Sequence, residues 1–242
     1  MTPFAEEADR LVRLGYHVFQ CLQRSKLPNV ETAPNGCISA SGDPAIVKDW
    51  WTRFPHCNIG LRCNNVLVFD IDNKNGKNGS GDFSRIIERL GPVPNGPISM
   101  SGNGGYHLLF QRPDADVKGV NGLKWDGKKT GIDIQVGNQY IVVPPSIHPE
   151  TGKAYTWHTD ICPVDQLPAL PEDWIKYVLP KRLEARGRRL EENAQRLILP
   201  STASSLRSQA YSPVDRCRLY VEKIPPCIPV KAATHNCSLR LV

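Results

Sequence analysis

The sequence lacks every arrangement of cysteine that would announce a metal or redox site. Its eight cysteines, at positions 21, 37, 57, 63, 162, 217, 227 and 237, form no CxxC pair and have no zinc-ligand spacing with histidine, so no zinc is expected. The beginning of the chain, Met1-Thr2-Pro3-Phe4-Ala5-Glu6-Glu7, is acidic and does not read as a secretion signal. Reduced thiols and a cytoplasmic location are therefore expected. No apolar run approaches the length of a membrane span, so no membrane partner is expected. No Gly-Lys-Ser/Thr completes a Walker loop after the glycine-rich residues 73–81. Those residues are not an EF-hand either. Counting from Asp70, the third ligand position is Lys74, the glycine position is Asn75, and the closing glutamate position is Gly81. Positive charge is scarce through most of the chain. Residues 181–242 hold 12 of the 30 lysines and arginines but 5 of the 24 acidic residues, so the +6 net charge belongs to that tail. A nucleic-acid footprint in residues 1–180 must then be local, with Lys74, Lys77, Lys124, Lys128 and Lys129 as candidates.

What is present centres on Val66-Leu67-Val68-Phe69-Asp70-Ile71-Asp72. It reads as a β-strand covered on both faces that ends in two carboxylates. Alternation puts Asp70 and Asp72 on one side and Ile71 on the other. Two like charges sharing a face call for a cation between them, and hard oxygen donors suit Mg²⁺ or Mn²⁺. A solvated strand end with a polar turn is the other reading of the same residues.

Two further stretches add chemistry. Residues 98–110 read as a strand, a turn with Gly102, Gly104 and Gly105, and a returning strand that carries His107. Such a turn can direct backbone N–H groups at an anion, or be a plain hairpin. Gly131-Ile132-Asp133-Ile134-Gln135-Val136 alternates cleanly, so Asp133 sits mid-strand opposite an aliphatic face and needs a partner, either a basic side chain or a shared metal.

Around these, Thr2-Pro3 caps a helix with an apolar stripe of Phe4, Ala8, Leu11 and Val12, stopped by Gly15. Residues 16–20 form a strand, and Asp43-Pro44 starts a helix whose buried face is Ile46, Val47, Trp50 and Trp51. A helix is expected from Asp82 to Leu90, stopped by Gly91. Strands are expected at residues 139–148 and 154–157, and a closing helix from Trp174 to Leu179. The chain divides into residues 1–180 as the main domain, 181–213 as a basic, Ser-rich linker, and 214–242 as the start of a helical region. The last of these ends on apolar Leu239-Arg240-Leu241-Val242, as in a truncated longer protein.

Asp70-Ile71-Asp72, Gly105-Tyr106-His107 and Ile132-Asp133, together with Trp50-Trp51, Asn58-Ile59-Gly60, Val143-Pro144-Pro145-Ser146 and Tyr155-Thr156-Trp157, make the chain similar to a known family. Over residues 4–179 it resembles the primase-polymerase (prim-pol) domain of the archaeo-eukaryotic primase superfamily, the bifunctional type found in plasmids, phages and integrated elements. The resemblance implies an α+β fold, with an RRM-like mixed β-sheet core and flanking helices, followed by the basic tail. It implies that Asp70, Asp72 and Asp133 hold two Mg²⁺ or Mn²⁺ ions and that His107 contacts the phosphates of the incoming nucleotide. Ser101, Lys26, Ser146 and His148 are weaker carry-overs, as phosphate or template contacts. The implied partners are nucleoside triphosphates, a single-stranded DNA template or primer-template, and a helicase domain or partner beyond residue 214. The implied activity is primer synthesis or extension, by attack of a 3′-hydroxyl on the α-phosphorus. Two other readings stand beside it. One is an inactive module that binds single-stranded DNA or a nucleotide; the other is a metal-dependent phosphohydrolase.

Overall fold

The computed structural model describes residues 1–114 and 117–178; the expected linker and helical tail lie outside these residues. In chain order the elements are α1 (Pro3–Arg13), β1 (Val18–Cys21), α2 (Pro44–Arg53), β2 (Asn58–Arg62), β3 (Val66–Ile71), α3 (Gly79–Leu90), β4 (Ile98–Met100), β5 (Tyr106–Gln111), β6 (Lys124–Trp125), β7 (Lys128–Lys129), β8 (Ile132–Val136), β9 (Tyr140–Val143), β10 (Thr156–Thr159) and α4 (Glu172–Val178). Short 3₁₀ turns occupy Gly36–Ser39 and Val164–Gln166.

The helix starts follow the chemistry of their caps. Thr2 accepts from the N–H of Ala5, Asp43 accepts from that of Ala45, and proline fills the first position of both helices. The helix placed at Asp82 by its apolar pattern starts three residues earlier, because Asn78 caps it by accepting from Gly81 N. It stops at Gly91, whose φ is +84°. Trp50 and Trp51 are buried against α1 and the first sheet, so they pack the core and offer no face for stacking bases.

The strands form two main sheets. One has the order β1-β2-β9, the other β10-β4-β5-β3-β8, and β6-β7 is a separate hairpin. The mixed sheet implied by resemblance is corrected here, because every pairing among the described residues is antiparallel.

Strand β3 is covered on both faces, as its unbroken apolar run requires. Leu67, Phe69 and Ile71 pack with Phe83 and Ile86 of α3 and Trp174 of α4. Val66 and Val68 turn the other way, into a core shared with Ile59 and Leu61 of β2 and with Ile141 and Val143 of β9. Asp70 follows Val66 and Val68 in parity, so it emerges at the edge of the space between the two sheets. The described cysteines 21, 37, 57, 63 and 162 are free thiols, in keeping with the reading from composition. Among the described residues no helix is long and apolar enough to cross a membrane.

Candidate active site

Register brings the site together. In the five-stranded sheet Trp157 lies opposite Ser99, Ser99 opposite His107, His107 opposite Asp70, and Asp70 opposite Asp133. One residue from each strand thus stands in a single row on one face. Directly opposed residues in an antiparallel pair have Cβ atoms about 5 Å apart, so neighbouring side chains in the row interact. Asp72 follows one pleat beyond Asp70, where its N–H donates to Gly131 O (2.7 Å) and its carbonyl accepts from Gly79 N (2.9 Å). Glycine is needed at both of those contacts. A Cβ on Gly79 would stand 2.6 Å from Asp72 O, and one on Gly131 would stand 2.7 Å from the same atom. Asp82 completes the corner by accepting from Gly131 N (2.8 Å).

The carboxylates have unequal partners. Asp70 has His107 Nε2 at 3.5 Å. Burial, above all, raises its pKa; His107 and Lys26 oppose that rise, while Asp72 and Asp133 add to it. Asp72 is paired with Lys77 (Nζ to Oδ2, 2.8 Å), and Asp133 accepts from Gly122 N. Among the described residues no three acidic, histidine or cysteine side chains are drawn close enough together to hold a metal ion. The donor set nonetheless fits a hard divalent cation. It is all carboxylate oxygen, and Asp70 is an under-neutralised acid between His107 and Asp133 on a rigid sheet.

The other expected residues divide into those that face the row and those that brace it. His107 is buried and its Nδ1 has no hydrogen-bond partner. Burial is the largest cause of its lowered pKa, with Asp70 opposing. His148 is fully buried. Its Nδ1 accepts from Glu150 N (3.3 Å), which leaves Nε2 to carry the proton, and Nε2 has no partner. The Tyr155 ring stands between the two imidazoles, 6.2 Å from His107 and 5.9 Å from His148, centroid to centroid. Lys26 is exposed on the loop after β1, close enough that its charge lowers the pKa of Asp70, His107 and His148.

Ser101 and Ser146 have structural partners instead. Ser101 Oγ donates within its own turn, to Asn103 Oδ1 and to Gly105 O (2.9 Å). Ser146 Oγ accepts from Ile59 N (2.8 Å) and ties the turn after β9 to β2. Lys124, Lys128 and Lys129 lie on the β6-β7 hairpin, exposed.

Three contributors were given no role of their own by the sequence. Ser99 is fully buried beside His107 with an unpartnered Oγ; its only sequence signal is a polar residue between Ile98 and Met100. Tyr155 entered only as part of the stretch Tyr155-Thr156-Trp157 that carries the resemblance. Asn58, fully buried, donates from Nδ2 to Ser25 O and Ile147 O (2.9 Å each) and accepts from Ile147 N (2.9 Å). It thereby joins the loop of Lys26 to the turn of His148. No curated protein matches the chain. A family model does match, over residues 8–172: Prim-Pol, described as bifunctional DNA primase/polymerase, N-terminal.

Proposed function

The chain belongs to the bifunctional DNA primase/polymerase (Prim-Pol) family, and on that premise we propose that residues 1–180 are a template-directed nucleotidyltransferase. It would make or extend primers in the replication of a plasmid, phage or integrated element. The observation that most supports the reading is the row Ser99, His107, Asp70, Asp133, drawn from four neighbouring strands and flanked by Asp72. The five-stranded sheet then plays the part of the RRM-like catalytic core, with α3 and α4 behind it.

In this reading Asp70, Asp72 and Asp133 hold Mg²⁺ or Mn²⁺. When bound, such ions supply positive charge to the attacking and leaving oxygens of an in-line displacement. The chain's own residues do the positioning. The bond formed joins the primer 3′-oxygen to the α-phosphorus, and the bond broken releases pyrophosphate; the hydroxyl proton passes to solvent. His107 and His148 present ring nitrogens without protein partners, and Lys26 adds a charge at the same mouth. A triphosphate entering there would reverse the burial that holds both histidines neutral, since a nearby anion favours the imidazolium. The single-stranded template is expected along half-buried Lys74 and exposed Lys77 of the loop after β3 and the exposed lysines of the β6-β7 hairpin. A helicase partner would involve residues beyond 214, outside the described range.

The test is a labelled primer-template, and separately a bare single-stranded template, incubated with nucleotides and Mg²⁺ or Mn²⁺. Extension by the wild type that is lost in Asp70→Ala and Asp72→Ala supports a polymerase, and products on bare template add priming. Binding of single-stranded DNA without any synthesis would replace this reading with that of a binding module. Metal-dependent phosphate release or DNA cleavage without extension would replace it with a phosphohydrolase.

A further inference from the structure

Residues 73–80 are a closed loop whose two ends are pinned to the end of β3. Asn73 Nδ2 donates to Ser80 Oγ (2.8 Å) and to Gly104 O (3.1 Å), and Ser80 N donates back to Asn73 Oδ1 (2.9 Å). Within the loop Lys77 N donates to Lys74 O (3.0 Å), and Gly79 N returns to Asp72 O (2.9 Å). This geometry folds the Lys77 side chain back over the acids. Its Nζ lies 2.8 Å from Asp72 Oδ2, with Lys77 about two-fifths and Asp72 about one-fifth exposed (40% and 22%).

We propose that Lys77 is a tethered counter-ion that occupies the cation position beside Asp72 and competes there with the divalent metal, so that it sets the metal affinity of the site. The proposal rests on the reading of Asp70, Asp72 and Asp133 as metal ligands. An ammonium carries one positive charge, enough to neutralise one carboxylate, whereas a divalent ion brings two. Metal entry must therefore break the Lys77–Asp72 pair and must also tolerate a neighbouring positive charge. Both effects weaken binding, and both vanish when the ammonium is removed. The loop that carries Lys77 is closed by its own hydrogen bonds, so the side chain can swing away from Asp72 without the loop unfolding.

The test is a titration of the full chain with Mn²⁺, reading free aquo-Mn²⁺ by electron paramagnetic resonance. Wild type is compared with Lys77→Met, with Asp72→Asn, and with Lys48→Met, an exposed lysine on α2 that makes the same change in net charge. Lys77→Gln serves as a second variant if Lys77→Met folds poorly. The expected result is Mn²⁺ binding roughly twofold to fivefold tighter in Lys77→Met, the range a partly exposed ion pair supports, with Lys48→Met near wild type. Metal-free Lys77→Met is expected to melt lower than wild type and to gain more from Mn²⁺. On the Asp72→Asn background, Lys77→Met should tighten Mn²⁺ binding by less than it does in the wild-type background, because the pair is already broken and only the neighbouring positive charge is removed. Equal or weaker Mn²⁺ binding by Lys77→Met, where wild-type binding still depends on Asp72, would overturn the role of Lys77 and leave the metal reading standing. Mn²⁺ binding by neither protein would overturn both.

Discussion

Replacing Asn58 by alanine separates the two loops that bring Lys26 and His148 to the site. Its side chain is fully buried and makes three hydrogen bonds of 2.9 Å, two donated to Ser25 O and Ile147 O and one accepted from Ile147 N. Each such bond contributes about 1 kcal/mol net, and a buried N–H left without a partner costs about 1–3 kcal/mol. With two bonds lost at that value and the third leaving Ile147 N–H without a partner, the expected loss is about 3–5 kcal/mol, a large part of a typical domain stability of about 5–15 kcal/mol. Urea denaturation should show a lower midpoint with an unchanged slope. The same variant should weaken nucleotide binding several-fold while Asp70, His107 and Asp133, fixed by strand register, stay in place. Asn58→Asp makes the reasoning sharper. It keeps an acceptor for Ile147 N but turns an oxygen toward the carbonyls of Ser25 and Ile147, so it should cost at least as much as alanine. A loss below about 1 kcal/mol in Asn58→Ala, with nucleotide affinity unchanged, would refute the idea that this side chain joins the loops.

Other outcomes follow from the same geometry. Asp70 has a raised pKa in the folded state, so its ionisation opposes folding as pH rises through and above the usual carboxylate range. Asp70→Asn should therefore raise the melting temperature of the metal-free protein at neutral pH while abolishing synthesis; a lower melting temperature in chelator would contradict this. His148 has a pKa lowered chiefly by burial, so the unfolded chain binds its proton first on acidification. Stability from this residue is intact above about pH 6.5 and is lost as pH falls from there toward the folded value. His148→Gln should flatten melting temperature against pH below about pH 6.5, and an unaltered profile would show that His148 does not carry the effect. Gly79→Ala would set a Cβ 2.6 Å from Asp72 O, with backbone on both sides. It should destabilise by about 1–3 kcal/mol, by urea titration, and reduce synthesis by displacing Asp72.

The elements were legible where the signal is local. Thr2-Pro3 and Asp43-Pro44 announced two helices, Gly15 and Gly91 announced two stops, and the alternation of residues 131–136 announced β8 with Asp133 facing away from Ile132 and Ile134. What remained hidden was non-local. Nothing in a strand's own residues says which strand it pairs with, so the division into two sheets and the antiparallel sense throughout came only from the structure. The same limit explains Ser99, Tyr155 and Asn58. Each matters because of a residue on another strand or loop: His107 for the first, both imidazoles for the second, and Ser25 and Ile147 for the third. The start of α3 was missed for a different reason. Gly79 and Gly81 look like loop residues, yet Asn78 caps that turn and the contact with Asp72 requires a residue without Cβ.

The row of polar and charged groups also has to be held against its own repulsion, and the residues behind it do this. Asp70 is flanked in sequence by Phe69 and Ile71, both fully buried on the opposite face. The Phe69 ring meets Phe83 at 5.9 Å, Phe110 at 5.7 Å and Trp174 at 5.7 Å between centroids. Burying such a side chain is worth about 1.5–3 kcal/mol, and aromatic pairs add about 0.5–1.5 kcal/mol each. That packing acts against the cost of the unfavourable carboxylate and helps β3 present Asp70 between His107 and Asp133. Behind β3, where α3 and α4 cover it, these rings fix the position of the carboxylate from the face opposite the row.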